Sequence, residues 1–109
     1  MYPFPGCRIL NGYTFNQSTV LNIEGSSCNV PAAARDYILN ATISPSWGYT
    51  GYMVFWANGV SQPGTSSLND DDGSVMSNGA IVSTTNGYID AYAQNQTSLY
   101  LDINGYFAP

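Results

Sequence analysis

The chain is 109 residues long, enough for one domain with a single core. Hydrophobic residues reach 44% while charged ones are only 8%, against about 25% in an ordinary soluble domain, which excludes a disordered chain. The net charge of −5 leaves two separated cations, Arg8 and Arg35, with no lysine or histidine, so nucleic acid is excluded as a partner.

Nine Tyr, eleven Gly and six Pro, with many Val, Ile and Thr, favour short strands cut by turns over helices. From the N-terminus, Met1-Tyr-Pro-Phe-Pro lacks the charged start and apolar stretch of a signal peptide and reads as a mature or excised domain. Turn signals follow at Pro5-Gly6, Asn11-Gly12, Gly25-Ser26, Pro45 to Gly48, Asn58-Gly59, Asp70 to Gly73, Asn86-Gly87 and Gln94 to Gln96. Between them the sequence predicts strands near residues 7–10, 18–23, 36–44, 50–57, 65–69, 78–84, 87–93 and 98–104. Pro31 to Arg35 can form one helical turn. The expected fold is therefore all-β, an antiparallel β-sandwich of about eight short strands, with residues 1–109 as a single domain.

Alternation assigns the faces. Tyr37, Leu39, Ala41 and Ile43 share one side of their strand, and Leu99, Leu101 and Ile103 one side of theirs, so these are the expected core. Strand 50–57 is apolar on both sides, which makes it central or gives it an aromatic outer face. No apolar run reaches the ~20 residues a membrane-spanning helix needs, and no basic amphipathic helix is present. Cys7 and Cys28 are an even pair in a chain of extracellular composition: bonded, they close a loop of 22 residues; otherwise they are two buried thiols.

Several segments together carry a family likeness: Gly6-Cys7-Arg8, Val30-Pro-Ala to Leu39-Asn-Ala-Thr42, Gly51-Tyr-Met53 with Phe55-Trp56, Ser66-Ser-Leu-Asn69, Asn78-Gly-Ala-Ile-Val82, and Leu101-Asp-Ile-Asn-Gly-Tyr-Phe107. In this combination the chain resembles a module of secreted bacterial surface proteins that is often repeated in tandem. Where that module continues its opening with Asp-Thr-Arg, this chain has Ile9-Leu10-Asn11. The resemblance implies an extracellular β-sandwich with a cysteine pair and no defined activity.

Catalysis has little to build on. Nucleophilic chemistry needs a base beside Ser or Cys, and neither His nor Lys exists here. A glycosidase needs two facing carboxylates, for which Asp90 and Asp102 are the only pair in suitable strands. If 87–93 and 98–104 form a hairpin through Gln94–Thr97, Tyr88, Asp90, Tyr92, Tyr100 and Asp102 share one face, with Tyr92 near Tyr100 and Asp90 near Asp102. Flat rings beside carboxylates suit sugars, since a ring stacks on a C–H face and the acid accepts hydroxyl protons. Trp47, in a loop, is a further candidate ligand contact. An ordinary polar sheet face accounts for the same residues without a ligand. No cofactor is expected. Asn69 to Gly73 resembles part of a calcium loop, with Asp70 and Asp72 as its oxygen donors, but lacks the downstream bidentate Glu and serves equally well as a solvated turn. The expected function is a secreted, non-catalytic binding or adhesion module for a glycan or cell-surface polymer. The alternative is a structural subunit that assembles with copies of itself.

Overall fold

The computed structural model describes residues 1–64 and 68–109. It is all-β and antiparallel, with six strands among the described residues: β1 (Tyr2–Asn22), β2 (Asp36–Pro45), β3 (Gly51–Ala57), β4 (Leu68–Asp70), β5 (Met76–Ser83) and β6 (Tyr88–Phe107). Of the expected strand at 65–69, only Leu68 and Asn69 fall within the described residues. Pro31 to Arg35 makes its single turn, closed by the Ala34 N–H donating to the Pro31 carbonyl at 3.1 Å.

The expected short strands at both ends of the chain turn out to be halves of longer ones. β1 contains both 7–10 and most of 18–23, and β6 contains both 87–93 and 98–104. The turn signals between them are bulges and a bend. Asn11-Gly12 and Pro5-Gly6 shift the β1 register against β6, with Gly6 and Gly12 at φ 75° and 83°. Gly12 also leaves room for the Tyr100 ring, whose hydroxyl would lie 3.4 Å from any Cβ placed there. A further shift lies between Arg8 and Leu10, and the fourth, between Phe15 and Gln17, faces Gln94 to Gln96.

There the long ribbon must bend. Twenty extended residues would span roughly 66 Å, whereas the molecule's longest dimension is 41 Å. The bend divides the sheet into two arms. In the first, β6 from Thr97 to Phe107 lies between β1 and β2, and β5 pairs with the far side of β2. In the second, β6 from Ile89 to Ala93 lies between β1 and β3, and β4 pairs with β3. One edge of β6 thus passes from β2 to β3, and the connecting loop satisfies the backbone at the corner: Ser46 N–H donates to Gln96 O, and Asn95 N–H to Thr50 O. β5 approaches β3 and β4 without a ladder, so the sheet is sandwich-like and nearly closed into a barrel.

Both arms wrap one core, to which β6 contributes Ile89, Ala91, Ala93, Leu99, Leu101 and Ile103, all fully buried. Tyr37, Leu39, Ala41 and Ile43 meet them from β2, as alternation predicted. The loop after β1 is held down by a Cys7–Cys28 disulfide.

Candidate functional site

The tyrosine–aspartate face does not assemble as the hairpin would have it. No turn occurs at Gln94–Thr97, so Tyr92 and Tyr100, and Asp90 and Asp102, lie along one strand on opposite sides of its bend and are not cross-strand neighbours. The polar run Gln94 to Gln96 looked like a turn because its side chains and backbone serve the corner. All five residues do point outward, being the even members of a strand whose odd members fill the core.

On the first arm, Asp102 is paired. Its cross-strand neighbour Arg8 donates from Nε at 2.8 Å and from Nη2 at 3.3 Å, a two-pronged contact. The same guanidinium lies 5.6 Å from the centre of the Tyr100 ring and reaches Asn11 Oδ1. The Asp102 carboxylate holds Arg8 in its charged form, raising the arginine's pKa further. This half of the expected site is thus a neutralised ion pair beside a ring, and Arg8 was the partner that strand alternation alone did not reveal.

The second arm carries the other half, with additions. Tyr88, Asp90 and Tyr92 are joined on the outer side of β3 by Tyr52, Val54 and Trp56, where Val54 opposes Tyr92 and Trp56 opposes Asp90. The Tyr52 and Tyr92 rings stack at 5.4 Å with 23° between planes. Val54 is only 2% exposed although it lies outside the main core. Its same-face neighbours are large rings, so this face has a small apolar floor of its own. Tyr52 and Tyr88 stay exposed, and Trp56 is half-buried. The Tyr92 hydroxyl donates to Gln17 Oε1 at 3.0 Å. Its contact with Tyr52 favours the protonated phenol, raising the Tyr52 pKa.

Asp90 ends a chain of amides. Asn86 Nδ2 donates to Asn58 Oδ1 at 3.0 Å, and Asn58 Nδ2 donates to Asp90 Oδ1 at 2.7 Å. The period-two run Tyr52, Val54, Trp56 was the sequence signal for an aromatic outer face. The Asn58 and Asn86 amides, placed in two separate turns, gave no such signal. Beside Tyr88 lies an open depression of about 330 Å3, lined also by Asn22, Glu24 and Gly25.

Trp47 is strongly exposed at 69% and lines a smaller depression of about 180 Å3 with Gly48, Tyr49 and Asn95. It sits at the corner, in the loop joining β2 to β3.

The acidic turn is built around its own backbone. Asp70 is 1% exposed, and its two oxygens accept the Thr50 N–H at 3.2 Å and the Gly73 N–H at 3.0 Å. Asp72 accepts the Ser74 N–H at 3.0 Å, and its contacts with Ser74 lower its pKa. Among the described residues no three potential ligands cluster around a metal position.

No protein-family model matches the chain. Curated protein sequences provide no match either. Among solved structures, the coat protein dimer of Tobacco streak virus is similar in fold, with a TM-score of 0.51 at 10% identity, over all of this chain and 91% of that one.

Proposed function

We propose that the chain is a non-catalytic, extracellular binding module that takes a glycan on the outer face of its second arm. The stacked Tyr52–Tyr92 pair, with Tyr52 exposed and Tyr92 partly exposed on the face that also holds Tyr88 and Asp90, carries this reading. The rings offer flat surfaces for sugar C–H faces. Asp90 and the Asn58–Asn86 chain offer acceptors and donors for hydroxyls. Glu24 and Asn22, in the depression beside Tyr88, extend the polar lining. The disulfide fits a secreted or cell-surface location, and no helix is long and apolar enough to cross a membrane among the described residues. The likeness to a tandemly repeated bacterial module supports the same setting, in which the finer fold is the two-layered β-sandwich.

The test is a glycan array followed by calorimetry on the best ligand. Tyr92→Ala and Asp90→Asn should each weaken binding at least tenfold with the thermal transition retained. Asp102→Asn should leave binding within twofold, since that carboxylate belongs to Arg8. An array blank for the wild type, or loss with Asp102→Asn alone, would refute the assignment.

A second reading is a structural subunit that assembles with copies of itself. It is favoured by the likeness in fold to a coat protein that was solved as a dimer.

A further inference from the structure

The depression beside Tyr88 is lined by one charged side chain, Glu24, with Asn22, Gly25 and the exposed Tyr88 ring. Its frame is fixed by backbone. The Ile23 and Glu24 N–H groups both donate to the Gly87 carbonyl at 3.0 Å, tying the turn after β1 to the turn before β6. Gly87 has φ 86°, and any Cβ there would run into the Glu24 carboxylate, so glycine leaves the space that the carboxylate occupies. Asn22 Oδ1 accepts the Gly25 N–H at 2.8 Å, which leaves the Nδ2 protons of Asn22 for a ligand oxygen. The Glu24 carboxylate has no hydrogen bond or ion pair among the described residues. The phenol of Tyr37 is kept protonated first by its burial and further by the negative charge of Glu24, so it brings no opposite charge.

The arm around this depression holds no cation either. Residues 17–24, 51–58 and 86–93 contain two charged side chains, Glu24 and Asp90, both negative. The two arginines of the chain are engaged elsewhere. Arg8 pairs with Asp102 on the first arm, and Arg35 bonds the carbonyls of Ala32 and Ala33 in its own loop. The net charge of −5 adds to the same negative field. Such a surface discriminates by charge, repelling an acidic sugar and attracting a cationic one. Neutral hydroxyls would leave Glu24 without a counter-charge, whereas an ammonium supplies it. An ammonium brings three donors to the carboxylate and its surroundings, and the face of the Tyr88 ring attracts the same cation.

We infer that the Glu24 depression takes the ammonium of an amino sugar, so that the glycan held by the second arm carries free amines rather than acetamides or carboxylates. The inference rests on the glycan reading above and names the substrate class of that site.

Three linear oligosaccharides of equal length test it by calorimetry in mildly acidic buffer, where sugar amines are charged: a glucosamine oligomer, its N-acetylated counterpart and an oligouronate. The wild type should bind the glucosamine oligomer at least tenfold more tightly than the acetylated one, and the uronate not at all. Added salt should weaken the first and leave the second unchanged. Glu24→Gln keeps the shape of the side chain and should bring the two affinities within twofold, with the thermal transition retained. The inference is overturned if the wild type binds none of the three, or binds the acetylated oligomer or the uronate as tightly as the amine. A preference insensitive to salt, or one that survives Glu24→Gln, overturns it equally. In each of these cases a neutral glycan whose binding still depends on Tyr92 and Asp90 leaves the glycan reading standing, so the two fail separately.

Discussion

Leu101→Ala tests whether the two arms share the core described here. Leu101 is fully buried at the middle of the first arm, opposite Leu10 on β1 and Ala41 on β2, with Leu99 and Ile103 on the same face. Truncation removes the three outer carbons of the side chain, a transfer loss of about 2.4 kcal/mol at ~0.8 kcal/mol per buried carbon. β6 is laddered on both edges at this point, which prevents the backbone from moving inward to refill the space. A residual cavity should therefore add up to ~2 kcal/mol, for a total of about 3–4.5 kcal/mol. For a domain of this size that corresponds to a fall in Tm of roughly 12 °C or more. Urea unfolding with the disulfide intact, followed by far-ultraviolet circular dichroism, reads the change as a lower midpoint at constant slope. A loss below about 0.5 kcal/mol would mean that Leu101 faces solvent and that the faces of β6 are reversed.

Denatured, unreduced protein should contain no titratable thiol, and Cys7→Ser with Cys28→Ser should cost roughly 3 kcal/mol for a loop of this length; finding two reactive thiols would contradict the bond. Burial raises the Tyr37 pKa, so the unfolded chain loses that phenolic proton first. The stability this confers is complete below the ordinary tyrosine pKa of about 10 and declines as pH rises through the folded value, so a melting temperature independent of pH above 10 would refute it. Gly51 has φ 78°, and any Cβ there would run into the Gln94 side chain that accepts the Tyr52 N–H. Gly51→Ala should cost at least about 1–2 kcal/mol for the left-handed backbone alone, and an unchanged urea midpoint would refute it.

Alternation was legible wherever one face is wet and the other dry. β2 and the first arm of β6 obey it residue by residue, because each is flanked by strands on both edges and covers the core with one side only. Strand continuity was not legible, for a physical reason. Positive-φ glycines and short polar runs serve hairpin turns and bulges alike, so Asn11-Gly12 and Gln94 to Gln96 look the same in sequence whether the chain reverses or merely bends. The difference lies in distant partners: Gln17, which bonds the Gln94 carbonyl at 3.1 Å, and the backbone groups of residues 46 and 50. The disulfide was legible as a pair because only two cysteines exist. The Arg8–Asp102 pair was not, since it depends on a β1–β6 register that local pattern cannot supply.

The bend in β6 also explains how one strand presents two chemically different surfaces. Both arms show the same outward sequence logic, tyrosines alternating with an aspartate, but each arm meets different neighbours. On the first, β1 contributes Arg8, and the carboxylate is neutralised by a cation that also covers the adjacent ring. On the second, β3 contributes rings and the turn after it contributes Asn58, so the carboxylate is met by a neutral amide and the Tyr52 and Tyr92 rings stack on one another, with Tyr52 exposed. A neutralised pair is poorly suited to accept ligand hydroxyls, because its oxygens already hold charged donors. An amide-bonded aspartate beside exposed rings keeps acceptor capacity. The strand's own residues therefore do not decide where a ligand binds. Their neighbours on β1 and β3 do, and for the proposed glycan site they favour the second arm.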